Sequence, residues 1–211
     1  IKGDVAFDHV TFSYEDGIPI LHDVSFKVQQ GETIAIVGPT GAGKTTIVNL
    51  LSRFYNVDSG TVKIDGIDIS KVTLRSLREQ MGVMMQDSFI FSGTIMDNIR
   101  YGNKEASDED VIRAAKTVCA HDFIVQMEDG YNTQVNERGS RLSVGQRQLI
   151  SFARALLADP AILILDEATS SIDTETEIVL QEGLSHLLEG RTSFIIAHRL
   201  STIKNANRIM Y

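Results

Sequence analysis

Apolar and polar residues alternate through the first thirty positions of the chain. Val5, Phe7, Val10, Phe12 and Tyr14 mark one such stretch and Val24, Phe26 and Val28 another, with Gly17-Ile18-Pro19 between them. A period of two broken by Gly and Pro predicts antiparallel strands joined by a turn. Residues 32–37 (ETIAIV) form a short apolar run, the pattern of a strand buried on both faces. Over residues 44–55 the period changes: Ile47, Leu50, Leu51 and Phe54 fall on one face of a helix. Residues 61–69 (TVKIDGIDI) alternate around Gly66 and predict a hairpin.

Strand signals thin out from about residue 74 to 158. Ser107 and Asp110 have the spacing of a capping box, ahead of a helix whose apolar face is Val111, Ala114, Ala115, Val118 and Cys119. A second helix spans 143–158, with Leu149, Phe152, Ala153, Leu156 and Leu157 on one face, and stops before Pro160. The run ILILD (162–166), an amphipathic helix near 175–188 and the run TSFIIAH (192–198) follow, and residues 208–211 read as the start of another strand. Strands alternating with helices predict a parallel α/β core, here with a β-rich opening and a helical insertion. The expected lobes are 1–74, 75–158 and 159–211, within one domain of 211 residues.

Composition narrows the partners. Asp and Glu outnumber Lys and Arg 28 to 20, a net charge of −8. That argues against nucleic acid, which asks for a basic face. The longest apolar run, residues 161–165, is far short of the ~20 residues of a membrane span. One cysteine, Cys119, fits a reducing compartment and reads as a small core residue. The chain begins at Ile1 without a signal peptide and stops inside an expected strand, so it reads as a fragment of a longer protein, incomplete at its C-terminal end.

Gly38-Pro39-Thr40-Gly41-Ala42-Gly43-Lys44-Thr45 fits G-x-x-x-x-G-K-[ST] and lies between an expected strand and an expected helix. Glycines let backbone amides converge on phosphate oxygens, and the helix turns its positive end to the same anion. Lys44 adds charge at the β- and γ-phosphates, and the Thr45 hydroxyl is a ligand for Mg²⁺. Asp166 and Glu167 close the ILILD strand, where a carboxylate needs a metal or a partner to offset desolvation. Asp166 suits the Mg²⁺ shell; Glu167 suits a general base for the attacking water, and both would otherwise read as helix-start acids.

Leu142-Ser143-Val144-Gly145-Gln146, followed by RQLISFARALLADPAILILDEATSSID, resembles the signature and Walker B region of ABC transporter nucleotide-binding domains. The resemblance covers essentially the whole chain. Ser143 and Gln146 form an S-x-x-Q capping box, so this helix start is a second anion site. The resemblance implies a P-loop NTPase (RecA-like) core with an antiparallel β lobe and a helical lobe. It implies two domains paired head to tail around two Mg-ATP, each Ser143, Gly145 and Gln146 closing on the partner's γ-phosphate. By the same resemblance Tyr14 stacks on adenine, Thr46 contacts phosphate, Gln86 senses Mg²⁺ and water, Asp173 crosses the dimer interface, and His198 contacts the γ-phosphate. His9, His22, His121 and His186 match no motif.

Residues 91–99 (FSGTIMDNI) and Glu137-Arg138-Gly139 resemble exporter-type members. That implies ATP hydrolysis driving transport, a membrane domain fused before Ile1, and a place on the cytoplasmic face of the cell membrane. Members that act on DNA carry long coiled coils between the positions of Gln86 and Leu142, a gap that is short here. Val144 departs from the usual glycine. An altered signature beside an intact Glu167 and His198 matches the complete half of a heterodimer, and a homodimer stays open; the transported substrate is not encoded here.

Overall fold

The computed structural model describes residues 1–15, 17–38, 43–84, 89–136, 142–167 and 172–211. The alternating opening segment makes β1 (Val5–Phe12) and β2 (Leu21–Val28), paired antiparallel. Phe7 and Val10 are three apart yet both face the core. A bulge between them resets the alternation, with His9 at φ 49°. Then come β3 (Thr33–Ile36) and α1 (Lys44–Leu51). The helix expected to reach residue 55 stops at Leu51: Arg53 turns left-handed at φ 55° and spends its guanidinium on the carbonyls of Ile69 and Val72. Phe54 is thereby left exposed under the guanidinium of Arg78, 4.8 Å away. The expected hairpin is β4 (Ser59–Ile64) with β5 (Ile67–Asp68), turned at Asp65 and Gly66, both at positive φ.

Beyond it lie α2 (Leu74–Arg78), β6 (Met81–Met84), β7 (Gly93–Thr94), α3 (Ile95–Arg100), α4 (Asp108–Thr117), α5 (His121–Gln126) and β8 (Gln134–Val135). The chain closes with α6 (Val144–Ala158), β9 (Ile162–Asp166), α7 (Thr174–Leu188), β10 (Thr192–Ile196), α8 (Leu200–Asn205) and β11 (Arg208–Met210). The capping box at Ser107 and Asp110 forms as expected, but α4 ends at Thr117, and Cys119 sits beyond it at φ 66° instead of on its face. Strand β6 is absent from the sequence pattern. It is four residues long, and Gly82 lies so close to Pro160 that a Cβ would meet the ring at 2.9 Å.

The architecture is α/β, as expected. Contacts divide the chain into two units. One comprises Ile1–Val83, Pro160–Glu167 and Gly190–Tyr211; the other comprises Met84–Asp159 and Ala168–Glu189. The first holds an antiparallel sheet of order β2-β1-β4-β5 and a sheet of order β11-β3-β10-β9-β6. Phe7, Val10, Ile34, Leu51, Ile164 and Phe194 belong to one core that spans both sheets. In the second, α6 packs against α3, α4 and α7 over Ile99, Ala115, Ile150, Ala153 and Leu184. Among the described residues no helix is long and apolar enough to cross a membrane.

Candidate nucleotide site

In the first unit, β3, β10 and β9 lie side by side and parallel, with Ile36 opposite Ile196 and Ile196 opposite Asp166. The ladder continues past the strand ends: the Ala197 amide donates to the Ile36 carbonyl (3.0 Å) and the Glu167 amide to the Ile196 carbonyl (3.1 Å). Three chain exits therefore line up, at Gly38 after β3, Glu167 after β9 and His198 after β10. The carboxyl edge of an open α/β sheet is where such folds bind ligands.

Gly38 is at φ 145°, a conformation that favours glycine, and Gly43 caps α1 at φ 81°. No acidic residue lies in the first turn of α1, so its positive end is not neutralised there. Lys44 is half-buried, Thr45 exposed and Thr46 buried. Thr40, Gly41 and Ala42 lie outside the described residues, as do Gln86, Glu137, Arg138 and Gly139.

Asp166 is 8% exposed and Glu167 2%. Burial pushes the Asp166 carboxyl above the usual carboxylate range, opposed by its bond to His198 Nε2 (3.3 Å) and by the charge of Lys44. Glu167 turns the other way. Its Oε2 accepts from the amides of His198 (2.7 Å) and Arg199 (2.9 Å), and its Oε1 accepts from the Thr202 hydroxyl. It thus caps the start of α8, where Arg199 offers no cap of its own. Asp166, by contrast, keeps lone pairs for a hard cation. A single carboxylate with the Thr45 hydroxyl and substrate phosphates suits Mg²⁺, which is seldom held by an all-protein cage. Among the described residues no group of three or more acidic, His or Cys side chains could hold a metal alone.

Tyr14, which the family resemblance assigns to the adenine, follows β1. Its ring packs edge-on against Phe12 (4.7 Å) and Tyr55 (4.9 Å). Its hydroxyl meets Thr46 Oγ1 at 3.1 Å and accepts from Asn49 Nδ2 at 3.3 Å. Asn49, Tyr55 and Thr202 were not singled out by sequence. Thr202 lies four residues after His198, the spacing of one helical turn, which was the available signal.

In the second unit, Ser143 caps α6 with the reciprocal bonds expected: the Gln146 amide donates to Ser143 Oγ (3.1 Å) and the Ser143 amide to Gln146 Oε1 (3.0 Å). The Ser143 hydroxyl accepts in that box, so its own proton stays free to donate to an anion. Gly145 is buried against α7, where a Cβ would lie 2.4 Å from Thr176 Cγ2. Asp173 caps α7, accepting from the Thr176 amide at 3.3 Å. Phe91 packs with Phe89 and Tyr101, and the guanidinium of Arg154 lies 5.1 Å above its ring.

Comparison with known proteins places this geometry. A family model described as ABC transporter matches residues 21–170. An uncharacterized ABC transporter ATP-binding protein, YknV of Bacillus subtilis (strain 168), is 60% identical over 210 residues, covering 100% of this chain and 35% of its own length. A fatty acid ABC transporter ATP-binding/permease protein of Mycobacterium bovis is 50% identical over 210 residues, covering 100% of this chain and 33% of its own. The solved structure of a bacterial Atm1-family ABC exporter with ATP bound superposes with a TM-score of 0.87 at 45% identity, over 100% of this chain and 37% of that one. The chain thus spans about a third of the length of these relatives.

Proposed function

This chain belongs to the ABC transporter family and has the P-loop NTPase fold of its ATPase domain, and we propose that it works as one half of an ATP-closed pair driving export across a membrane. One observation carries the reading: Asp166, Glu167 and His198 leave two neighbouring strands in register, beside the strand that leads to Lys44. Residues 1–211 act in it as a single ATPase domain.

In this reading Gly38, Thr40, Gly41, Ala42 and Gly43 cradle the phosphates and Lys44 offsets their charge. Tyr14 stacks on the adenine and Thr46 holds a phosphate oxygen. Thr45, Asp166 and Gln86 hold Mg²⁺, which when bound neutralises charge on the phosphate oxygens. Glu167 takes a proton from the attacking water as its oxygen bonds to the γ-phosphorus and the bond to the ADP oxygen breaks. His198 holds a γ-phosphate oxygen. Ser143, Gly145 and Gln146 close over the nucleotide of a second ABC ATPase domain, a copy of this one or a relative, and Asp173 lies at that junction. Much of the rate gain comes from positioning and preorganised charge.

A membrane domain fused ahead of Ile1 would hold the pair at the cytoplasmic face of the cell membrane. The greater length of the ATP-binding/permease relatives supports that arrangement. The test is ATP turnover of the full-length protein carrying Glu167→Gln or His198→Ala. Each is expected to lose at least about 10²-fold in kcat while still binding ATP. Unchanged turnover in both would refute the assignment.

A further inference from the structure

Glu167 is 2% exposed, and both its oxygens are held by donors from one short segment. The amides of His198 and Arg199 reach Oε2 at 2.7 and 2.9 Å, and the Thr202 hydroxyl reaches Oε1. A carboxylate offers about four acceptor positions, and three are taken here. In this arrangement the side chain is engaged with its own neighbouring segment rather than presented to an attacking water.

Resting on the assignment of Glu167 as the group that receives that proton, we propose that Thr202 is a positioning residue. It latches Glu167 in a withdrawn state, and hydrolysis requires the latch to open. Two of the three donors are backbone amides and are common to any sequence. Among the described residues Thr202 supplies the donor set by a side chain, and it is 4% exposed. The latch lies on the segment that carries His198, whose Nε2 faces Asp166 at 3.3 Å. In this proposal the 198–202 segment moves as a whole, backbone included, when His198 engages a γ-phosphate, and its three donors leave Glu167 together. The γ-phosphate thereby frees the base that deprotonates the attacking water.

The experiment measures kcat and KM for ATP in the full-length protein carrying Thr202→Val, Thr202→Ala, Thr202→Ser or Glu167→Gln. Loss of one of three restraining bonds raises kcat roughly three- to tenfold in the Val and Ala variants, with KM within about twofold of the parent. Thr202→Ser keeps the hydroxyl and the parent's kcat. The Ala variant adds no bulk, so it reads the latch even where Val fails to fold. An unchanged or lowered kcat in the folded Val or Ala variants, with Glu167→Gln inactive, overturns the latch and leaves the base assignment standing. Full turnover in Glu167→Gln overturns the base assignment, and the latch with it.

Discussion

An alanine at position 145 would place its Cβ 2.4 Å from Thr176 Cγ2, well inside van der Waals contact. The backbone that carries the threonine is itself fixed, because its amide bonds the Asp173 carboxylate at 3.3 Å in the cap of α7. Overfilling a packed site costs about 1–3 kcal/mol. Alanine regains up to about 1 kcal/mol of helix propensity over glycine. A net loss of about 1–2 kcal/mol follows, and in a domain of this size that lowers Tm by roughly 2–8 °C. Thr176→Ser removes the offending methyl and keeps the hydroxyl. The next atoms met, Leu180 Cδ1 at 3.7 Å, are in ordinary contact. The double variant is therefore expected to recover most of the lost Tm, a coupling read by thermal melting of the four proteins in a double-mutant cycle. Strictly additive shifts, or a Gly145→Ala variant that melts with the parent, would refute the packing argument. ATP turnover adds a second reading. If the stability-restored double variant still hydrolyses slowly, the glycine also serves close approach to phosphate.

Two more outcomes follow from the first unit. Asp166 has its pKa raised by burial, so its ionised form destabilises the fold above the ordinary carboxylate range, and that cost fades as pH falls through the raised value. Asp166→Asn should raise the Tm of the nucleotide-free protein at neutral pH, lose that advantage in acid, and abolish Mg²⁺-dependent turnover; an unchanged Tm at pH 7 would contradict it. Tyr14→Phe keeps the ring and deletes the hydroxyl bonded to Thr46 and Asn49. If about half of the roughly 2 kcal/mol in these two bonds goes to holding the ring in place for the nucleotide, ATP affinity should fall roughly fivefold, read by calorimetric titration, and an equal affinity would mean that only the ring matters.

The parts of the proposed site that can be read from sequence are those whose chemistry demands fixed residue types at fixed spacing. The glycines and lysine of residues 38–45, the acidic pair after ILILD and the Ser143/Gln146 box are of that kind. What sequence hid depends on tertiary placement. Thr202 meets Glu167 because β9 and β10 are neighbours, which brings Glu167 to the start of α8. The shortening of α1 follows from where Arg53 finds its carbonyl partners, and β6 becomes a strand through a sheet partner rather than through its own four residues. The phase slip at Phe7 and Val10 was visible in the spacing, but only the pairing with β2 identifies it as a bulge.

The register that joins β3, β10 and β9 is written in amide and carbonyl groups, which every residue type supplies. The spacing between Asp166 and His198 is therefore a property of the weave rather than of the thread. Side chains along these strands can be exchanged for others of like volume without moving the reacting groups. A slip of β10 by a single residue would instead bring Ala197 to the place of His198 and turn the strand's faces over, disarming the site while leaving its composition untouched.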